Sequence, residues 1–150
     1  MVSIREKVLA GNFLSGVWCN MGSPTTVEIA GLVGFDWLLI DLEHGMMDHE
    51  SLAHQVQAVG GYQTAPIVRI ATNEQSKFKR VLDLGISGIM VPYVCSAEEA
   101  EHAVLSMKYP PEGKRGVSYL NRATLYGTNF KDYFSNANQS LTMIAQIETK

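Results

Sequence analysis

Apolar and polar positions follow two alternating rhythms along this chain. Short runs rich in β-branched and aromatic residues give way repeatedly to capped segments whose apolar residues recur at helical spacing. That alternation predicts consecutive βα units. Ser3 and Glu6 have capping-box spacing ahead of Ile4, Val8 and Leu9, with Gly11 as the C′ residue of a short leading helix. A first strand is predicted over 14–19, and the helix after it opens on Ser23 as N-cap and Pro24 at N1 and closes near Gly34. The second strand is Trp37–Asp41. It leads to a helix over His49–Val59, with Asp48 as cap and Leu52, Val56 and Val59 on one face.

The third strand, 66–70, carries Arg69 near its C-terminal end, and Asn73 is the expected cap of a helix with Phe78, Val81 and Leu82 inward before Gly85. A fourth strand over 88–93 runs into the capping box Ser96-Ala97-Glu98-Glu99, and its helix continues to about Lys108, where Pro110-Pro111 stops it. Residues 112–129 are polar and contain glycine. They form the longest irregular stretch, which predicts a functional, lid-like loop. A short helix over 131–138 and a fifth strand over 142–147 follow.

Right-handed crossovers make these strands parallel, so the fold class is α/β. The pattern fits a doubly wound sheet and a (β/α)8 barrel. A closed barrel takes about 250 residues, so a 150-residue chain holds only about the first five strands of one. Residues 1–150 are expected to be a single partial barrel, cut short at its C-terminal side, with strands one and five as open edges.

Candidate chemistry concentrates where the second strand stops. The apolar run Phe35-Asp36-Trp37-Leu38-Leu39-Ile40 ends in Asp41-Leu42-Glu43-His44-Gly45. Ionisable groups cost several kcal/mol to desolvate unless paired or metal-bound, and the C-terminal edge of parallel strands is where α/β proteins bind ligands. An isolated Asp41 would be a turn cap. Its position after a buried strand and three residues before His44 points instead to a site. Glu148 ends the fifth strand. His44, His49 and His54 step by five residues and do not share a helix face, which argues against a histidine metal cluster.

Composition narrows the range of functions. The chain is 46% hydrophobic and 18% charged, enough apolar material for a core, and its net charge of −3 comes without a basic block, which argues against nucleic acid as a partner. No apolar run reaches the roughly 18 residues of a membrane span, and residues 1–11 lack the apolar segment of a signal peptide. The expectation is a cytoplasmic protein with no membrane partner. Cys19 and Cys95 lack CxxC spacing and are expected to be small buried hydrophobes; Met46, Met47 and Met90 read as packing residues.

Four ordered motifs carry a family resemblance: Val33-Gly34-Phe35-Asp36-Trp37 through Asp41-Leu42-Glu43-His44, then Pro66-Ile67-Val68-Arg69, then Tyr109-Pro110-Pro111-Glu112-Gly113-Lys114-Arg115-Gly116, and finally Gln146-Ile147-Glu148-Thr149. Over essentially its whole length the chain resembles the HpcH/HpaI class II aldolases, which act on 2-dehydro-3-deoxyglucarate, 2-keto-3-deoxy-L-rhamnonate and related acids. The resemblance implies a (β/α)8 barrel and cleavage of a 4-hydroxy-2-oxo acid to pyruvate and an aldehyde, with Mg2+, Mn2+ or Co2+ as cofactor. Under it, Glu148 is a metal ligand, with a second ligand expected beyond residue 150, and Arg69 neutralises the keto or enolate oxygen. His44, oriented by Asp41, is the acid/base. Gln146 contacts pyruvate and Glu43 holds a metal-bound water. For Arg115 and Gly116 two readings stand side by side, shaping of the long loop near the active-site mouth and a purely structural turn. The resemblance also implies a homo-oligomer, a hexamer or trimer of dimers. Two alternatives accompany it: an enolate-forming lyase like the citrate lyase β-subunit, and an inactive partial barrel that serves as an assembly partner.

Overall fold

A computed structural model describes residues 3–149. Five strands, β1 (Gly16–Cys19), β2 (Trp37–Asp41), β3 (Ala65–Arg69), β4 (Gly88–Val91) and β5 (Thr142–Ala145), lie in that order in one sheet, every neighbouring pair parallel. Helices α1 (Arg5–Leu9), α2 (Pro24–Val33), α3 (His49–Val59), α4 (Gln75–Leu82), α5 (Ala97–Met107) and α6 (Phe130–Ser140) alternate with them, α5 and α6 both falling between β4 and β5. This is the succession of βα units expected of a partial (β/α)8 barrel.

Period-two alternation gives the sheet two faces. Leu38, Ile40, Val68, Ile89 and Val91 pack outward with Leu52, Val56, Phe78, Val81 and Leu82 of the helices. Each fully buried aliphatic side chain contributes about 1.5–3 kcal/mol, so this layer is the main source of stability. Leu39, Ala65 and Ile67 form a smaller cluster on the other face with Ile4, beside Trp37, Met90 and Ile144. There β1 requires glycine, because a Cβ at Gly16 would overlap the indole of Trp37.

Capping follows the sequence at three helices. Ser23 accepts from Thr26 N (3.4 Å), Asp48 from Ser51 N (2.9 Å) and Ser96 from Glu99 N (3.2 Å). Gly34 takes the left-handed conformation that ends α2 (φ 88°). Two expected caps are corrected. Ser3 lies one residue before the N-cap position of α1, which Ile4 occupies; its hydroxyl accepts from Arg5 N at 3.4 Å and donates to Ser140 O at 3.0 Å, tying α1 to the end of α6. Asn73 does not cap α4, which starts after Glu74; its side chain instead donates to Glu99 O (3.0 Å) and meets His102 Nδ1 (3.2 Å), joining the β3–α4 loop to α5.

The long segment before α6 lies at the other end of the sheet from where the sequence put it. Ala123 N donates to Asp83 O (3.0 Å), and Arg122 Nη1 and Nη2 donate to Leu84 O (2.6 Å) and Val56 O (3.3 Å). Those carbonyls mark the C-terminal ends of α3 and α4, so the loop covers the N-terminal ends of the strands. Of the two readings of Arg115 and Gly116, the structural turn stands and the role at the mouth does not: Arg115 is buried against Asp83 and Tyr133. The physical reason is connectivity: α5 runs back from that edge, and the chain leaving it emerges at the opposite end. Cys95 and Met46 also depart from expectation, since Cys95 is exposed and Met46 is 86% exposed.

Candidate active site

The register of β2 and β3 brings Asp41 and Arg69 side by side as the last residues of their strands. Side chains paired in a parallel register share a face, so both project from the C-terminal edge. Arg69 Nε donates to Asp41 Oδ1 at 2.8 Å and Nη2 to Oδ2 at 2.6 Å, a bidentate pair with Asp41 fully buried. Such forks are among the stronger polar contacts in proteins and fix the guanidinium plane. Asp41 gathers further donors: Trp18 Nε1 (3.3 Å), Asn20 Nδ2 (3.2 Å), and the backbone N–H groups of Glu43 (3.0 Å) and His44 (3.3 Å). Burial by itself would push its carboxyl up, but the Arg69 fork and these donors outweigh burial and hold it at about 2. Arg69 is correspondingly raised, first by its bonds to Asp41, with Glu43 and Glu148 adding favourable charge.

Glu43 stands on the other side of Arg69, its Oε2 2.9 Å from Nη1 but not aligned for a hydrogen bond. Its Oε1 is 3.8 Å from His44 Nε2, and the His44 side chain is 69% exposed. The expected pairing of His44 with Asp41 is thus corrected. Asp41 binds the backbone of His44, not its ring, because its two oxygens are already taken by Arg69, Trp18 and Asn20. The acid facing the imidazole is Glu43. The turn that achieves this is tight, and a Cβ at Gly45 would overlap the Asp41 carbonyl.

The β5 end contributes Gln146 and Glu148. Gln146 extends the ladder past the strand, donating N–H to Val91 O (2.9 Å) and accepting from Val94 N (3.0 Å). Its side-chain Oε1 is buried without a partner. Glu148 is exposed and accepts from Tyr93 N at 3.3 Å; its charge reaches Arg69. Tyr93 adopts positive φ (52°), which ends β4 earlier than the sequence implied. Among the described residues no group of three His, Cys, Asp or Glu could hold a metal ion.

Trp18 and Asn20 were not legible as site residues in the sequence. Trp18 stacks on Arg69, its ring centroid 5.0 Å from the guanidinium carbon. A signal existed: β1 ends beside Asn20 at the same sheet edge, so its last residues belong with those of β2 and β3.

The parallel sheet gathers an arginine, carboxylates and an exposed imidazole at its C-terminal edge, the edge at which (β/α)8 barrels carry their sites. The HpcH/HpaI aldolase/citrate lyase profile matches residues 14–150, and the chain belongs to that family. A 5-keto-4-deoxy-D-glucarate aldolase of Salmonella paratyphi A is 47% identical over 135 residues, covering 90% of this chain and 52% of that protein. Among solved structures, an HpcH/HpaI aldolase/citrate lyase family protein from Burkholderia cenocepacia J2315 is 34% identical, with a TM-score of 0.86 over 91% of this chain and 55% of that one. An HpcH/HpaI aldolase from Desulfitobacterium hafniense DCB-2 is 30% identical, with a TM-score of 0.88 over 99% of this chain and 57% of that one. The chain spans about half the length of the relatives it matches. Among the described residues no helix is long and apolar enough to cross a membrane.

Proposed function

We propose that this chain supplies one wall of a class II pyruvate aldolase site, which cleaves a 4-hydroxy-2-oxo acid of the keto-deoxy sugar acid type to pyruvate and an aldehyde. The observation that carries the proposal is the Asp41–Arg69 fork, which fixes a guanidinium at the sheet edge within electrostatic reach of Glu148. Asp41 occupies Nε and one Nη of Arg69, and Nη1, which faces Glu43 at 2.9 Å without a hydrogen bond to it, is the donor left for a developing oxyanion. A fixed donor at such a position costs no reorganisation when charge develops.

His44 takes the proton of the C4 hydroxyl as the C3–C4 bond breaks. The bonding pair moves toward the 2-oxo oxygen, the aldehyde leaves, and the same proton returned to C3 completes pyruvate. Glu43, held near Arg69, orients the imidazole. Gln146 positions pyruvate through its side-chain amide.

The donor set also fits a hard divalent cation of the Mg2+ or Mn2+ kind in type. Glu148 offers a carboxylate, and the orphaned Oε1 of Gln146 a neutral oxygen, where such ions take one or two carboxylates with water and substrate oxygens. A cation held by Glu148 would act as a Lewis acid on the 2-oxo group.

The test is deuterium exchange. With pyruvate in D2O and Mg2+ or Mn2+, the methyl proton signal is expected to decay faster than in an EDTA control. Equal decay in both would remove the proposal for this chain.

A further inference from the structure

Trp18 is the residue of β1 that core packing does not account for. Strand alternation sends Val17 and Cys19 toward the helices, where they join the larger apolar layer, and puts Gly16 and Trp18 on the opposite face. There Trp18 is in register with Leu39, two residues before Asp41, and Arg69 follows Ile67 on the same face of β3. Leu39 and Ile67 are buried in the small cluster of that face, whereas Trp18 belongs to neither apolar cluster and stays 43% exposed. A ring left this open adds little to the core. What it touches is the Asp41–Arg69 fork.

The fork is only as fixed as its carboxylate. Asp41 Oδ1 is anchored within the turn that follows β2, by the N–H groups of Glu43 (3.0 Å) and His44 (3.3 Å). Oδ2, the oxygen that takes Arg69 Nη2, is anchored from β1 and its end, by Trp18 Nε1 (3.3 Å) and Asn20 Nδ2 (3.2 Å). Trp18 then acts on the guanidinium a second time, because its ring centroid lies 5.0 Å from the guanidinium carbon. A bidentate carboxylate restrains a guanidinium within the plane of the fork, and an aromatic face against it restrains tilting out of that plane. One side chain supplies both restraints. Nη1 has no such anchor: Glu43 Oε2 stands 2.9 Å away without a hydrogen bond to it, so the direction in which Nη1 donates follows the orientation of the guanidinium plane.

We propose that Trp18 is a positioning residue of this site, a role that rests on the reading of Arg69 as oxyanion donor: its ring and indole N–H together hold the guanidinium in the orientation in which Nη1 meets the developing charge. Trp18 itself exchanges no proton and forms no bond with substrate. A donor aimed in advance counts most where charge develops, so losing its aim lowers turnover more than it weakens pyruvate. Support of this kind, from a side chain behind the one that reacts, is what keeps a site within the narrow geometry its chemistry needs.

Two variants separate the two restraints. Trp18→Phe keeps an aromatic face for Arg69 and removes the N–H, while Trp18→Leu removes both; with the ring outside the core, both should melt close to the parent. The first readout needs no ligand. It is the 15N order parameter of Arg69 Nε–H in the free chain, expected near the rigid value of roughly 0.85 in the parent, lower in Trp18→Leu and intermediate in Trp18→Phe. The second is exchange of the pyruvate methyl protons in D2O with Mg2+, where Trp18→Leu should lower kcat about tenfold or more while KM changes less than about threefold, and Trp18→Phe should recover part of the loss. Equal order parameters in all three chains, a kcat in Trp18→Leu equal to the parent's, or a lower melting temperature with Arg69 unchanged would each overturn the inference. If the parent shows no exchange above an EDTA control, the aldolase reading fails, and the Arg69 order parameter still decides whether Trp18 holds the guanidinium.

Discussion

Arg69 and Arg115 are both withdrawn from water and both paired with an aspartate, yet they belong to different kinds of structure. Arg115 has a fully buried side chain. It bonds Asp83 (2.8 Å) and the Tyr133 hydroxyl (3.2 Å) and lies 4.3 Å from the centroid of Tyr109. Every neighbour is a piece of scaffold: the end of α4, helix α6, and the segment entering the long loop. Burial, partly offset by the charge of Arg115, pushes the Tyr109 phenol up to about 12, which keeps that ring neutral at any ordinary pH. Arg69 instead closes a strand at the sheet edge, with the unsatisfied Oε2 of Glu43 2.9 Å from its Nη1, whereas the unsatisfied atom at the other arginine is its own Nε, shut inside the scaffold. One arginine has been absorbed by packing. The other is clamped by Asp41 on one side and faced by Glu43 on the other, at the edge where the strands end.

If that contrast is right, removing Arg115 should be the more damaging change to the fold. Arg115→Ala removes the donor to the buried Tyr133 hydroxyl and opens a void beside Tyr109 and Tyr133, and a loss of about 3–5 kcal/mol in urea unfolding is expected. Arg69→Ala should cost less, about 2–3 kcal/mol, because Asp41, though fully buried, keeps four other donors, Trp18 Nε1, Asn20 Nδ2 and the N–H groups of Glu43 and His44. The same variant should raise the Asp41 carboxyl from its position at about 2, as seen by its carbon shift in an acid titration.

The pH dependence follows with a definite sign. Asp41 is depressed from about 3.9 in the unfolded chain, which therefore binds more protons in the window between the two values. Its contribution, about 2 kcal/mol, is complete above pH ~5 and is lost as pH falls toward 2. Comparing the unfolding free energies of the parent and Asp41→Asn across that window should show the gap closing with acid. The smallest effect belongs to His44→Gln, within about 0.5 kcal/mol, since the ring is largely exposed and its near acid is 3.8 Å away. A larger loss would mean that His44 supports the fold.

The sequence carried the places of the strands and most helix starts because these rest on local signals: apolar runs of strand length, and Ser23, Asp48 and Ser96 as caps. It misplaced Ser3 and Asn73, whose side chains were drawn to partners far along the chain, Ser140 and Glu99. Asp41, Glu43, His44 and Arg69 were recognisable as a cluster from their place at strand ends. Their pairing was not, because β2–β3 register decides that Arg69, not His44, meets the Asp41 carboxylate. Trp18 was hidden for the same reason. The long loop was read as a lid from its length and polarity alone, and only the direction of α5 shows which end of the sheet it covers.

Arg69 is the pre-oriented oxyanion donor at the centre of the proposed site. The most direct measurement follows the Arg69 Nε–H and Nη–H resonances of the labelled chain as pyruvate is added with Mg2+, beside the Arg69→Lys variant. We expect saturable shifts at Arg69 and at the Gln146 side-chain amide, with Arg115 unmoved, and affinity lowered at least tenfold in Arg69→Lys. Shifts absent from Arg69, or equal affinity in the lysine variant, would contradict the account.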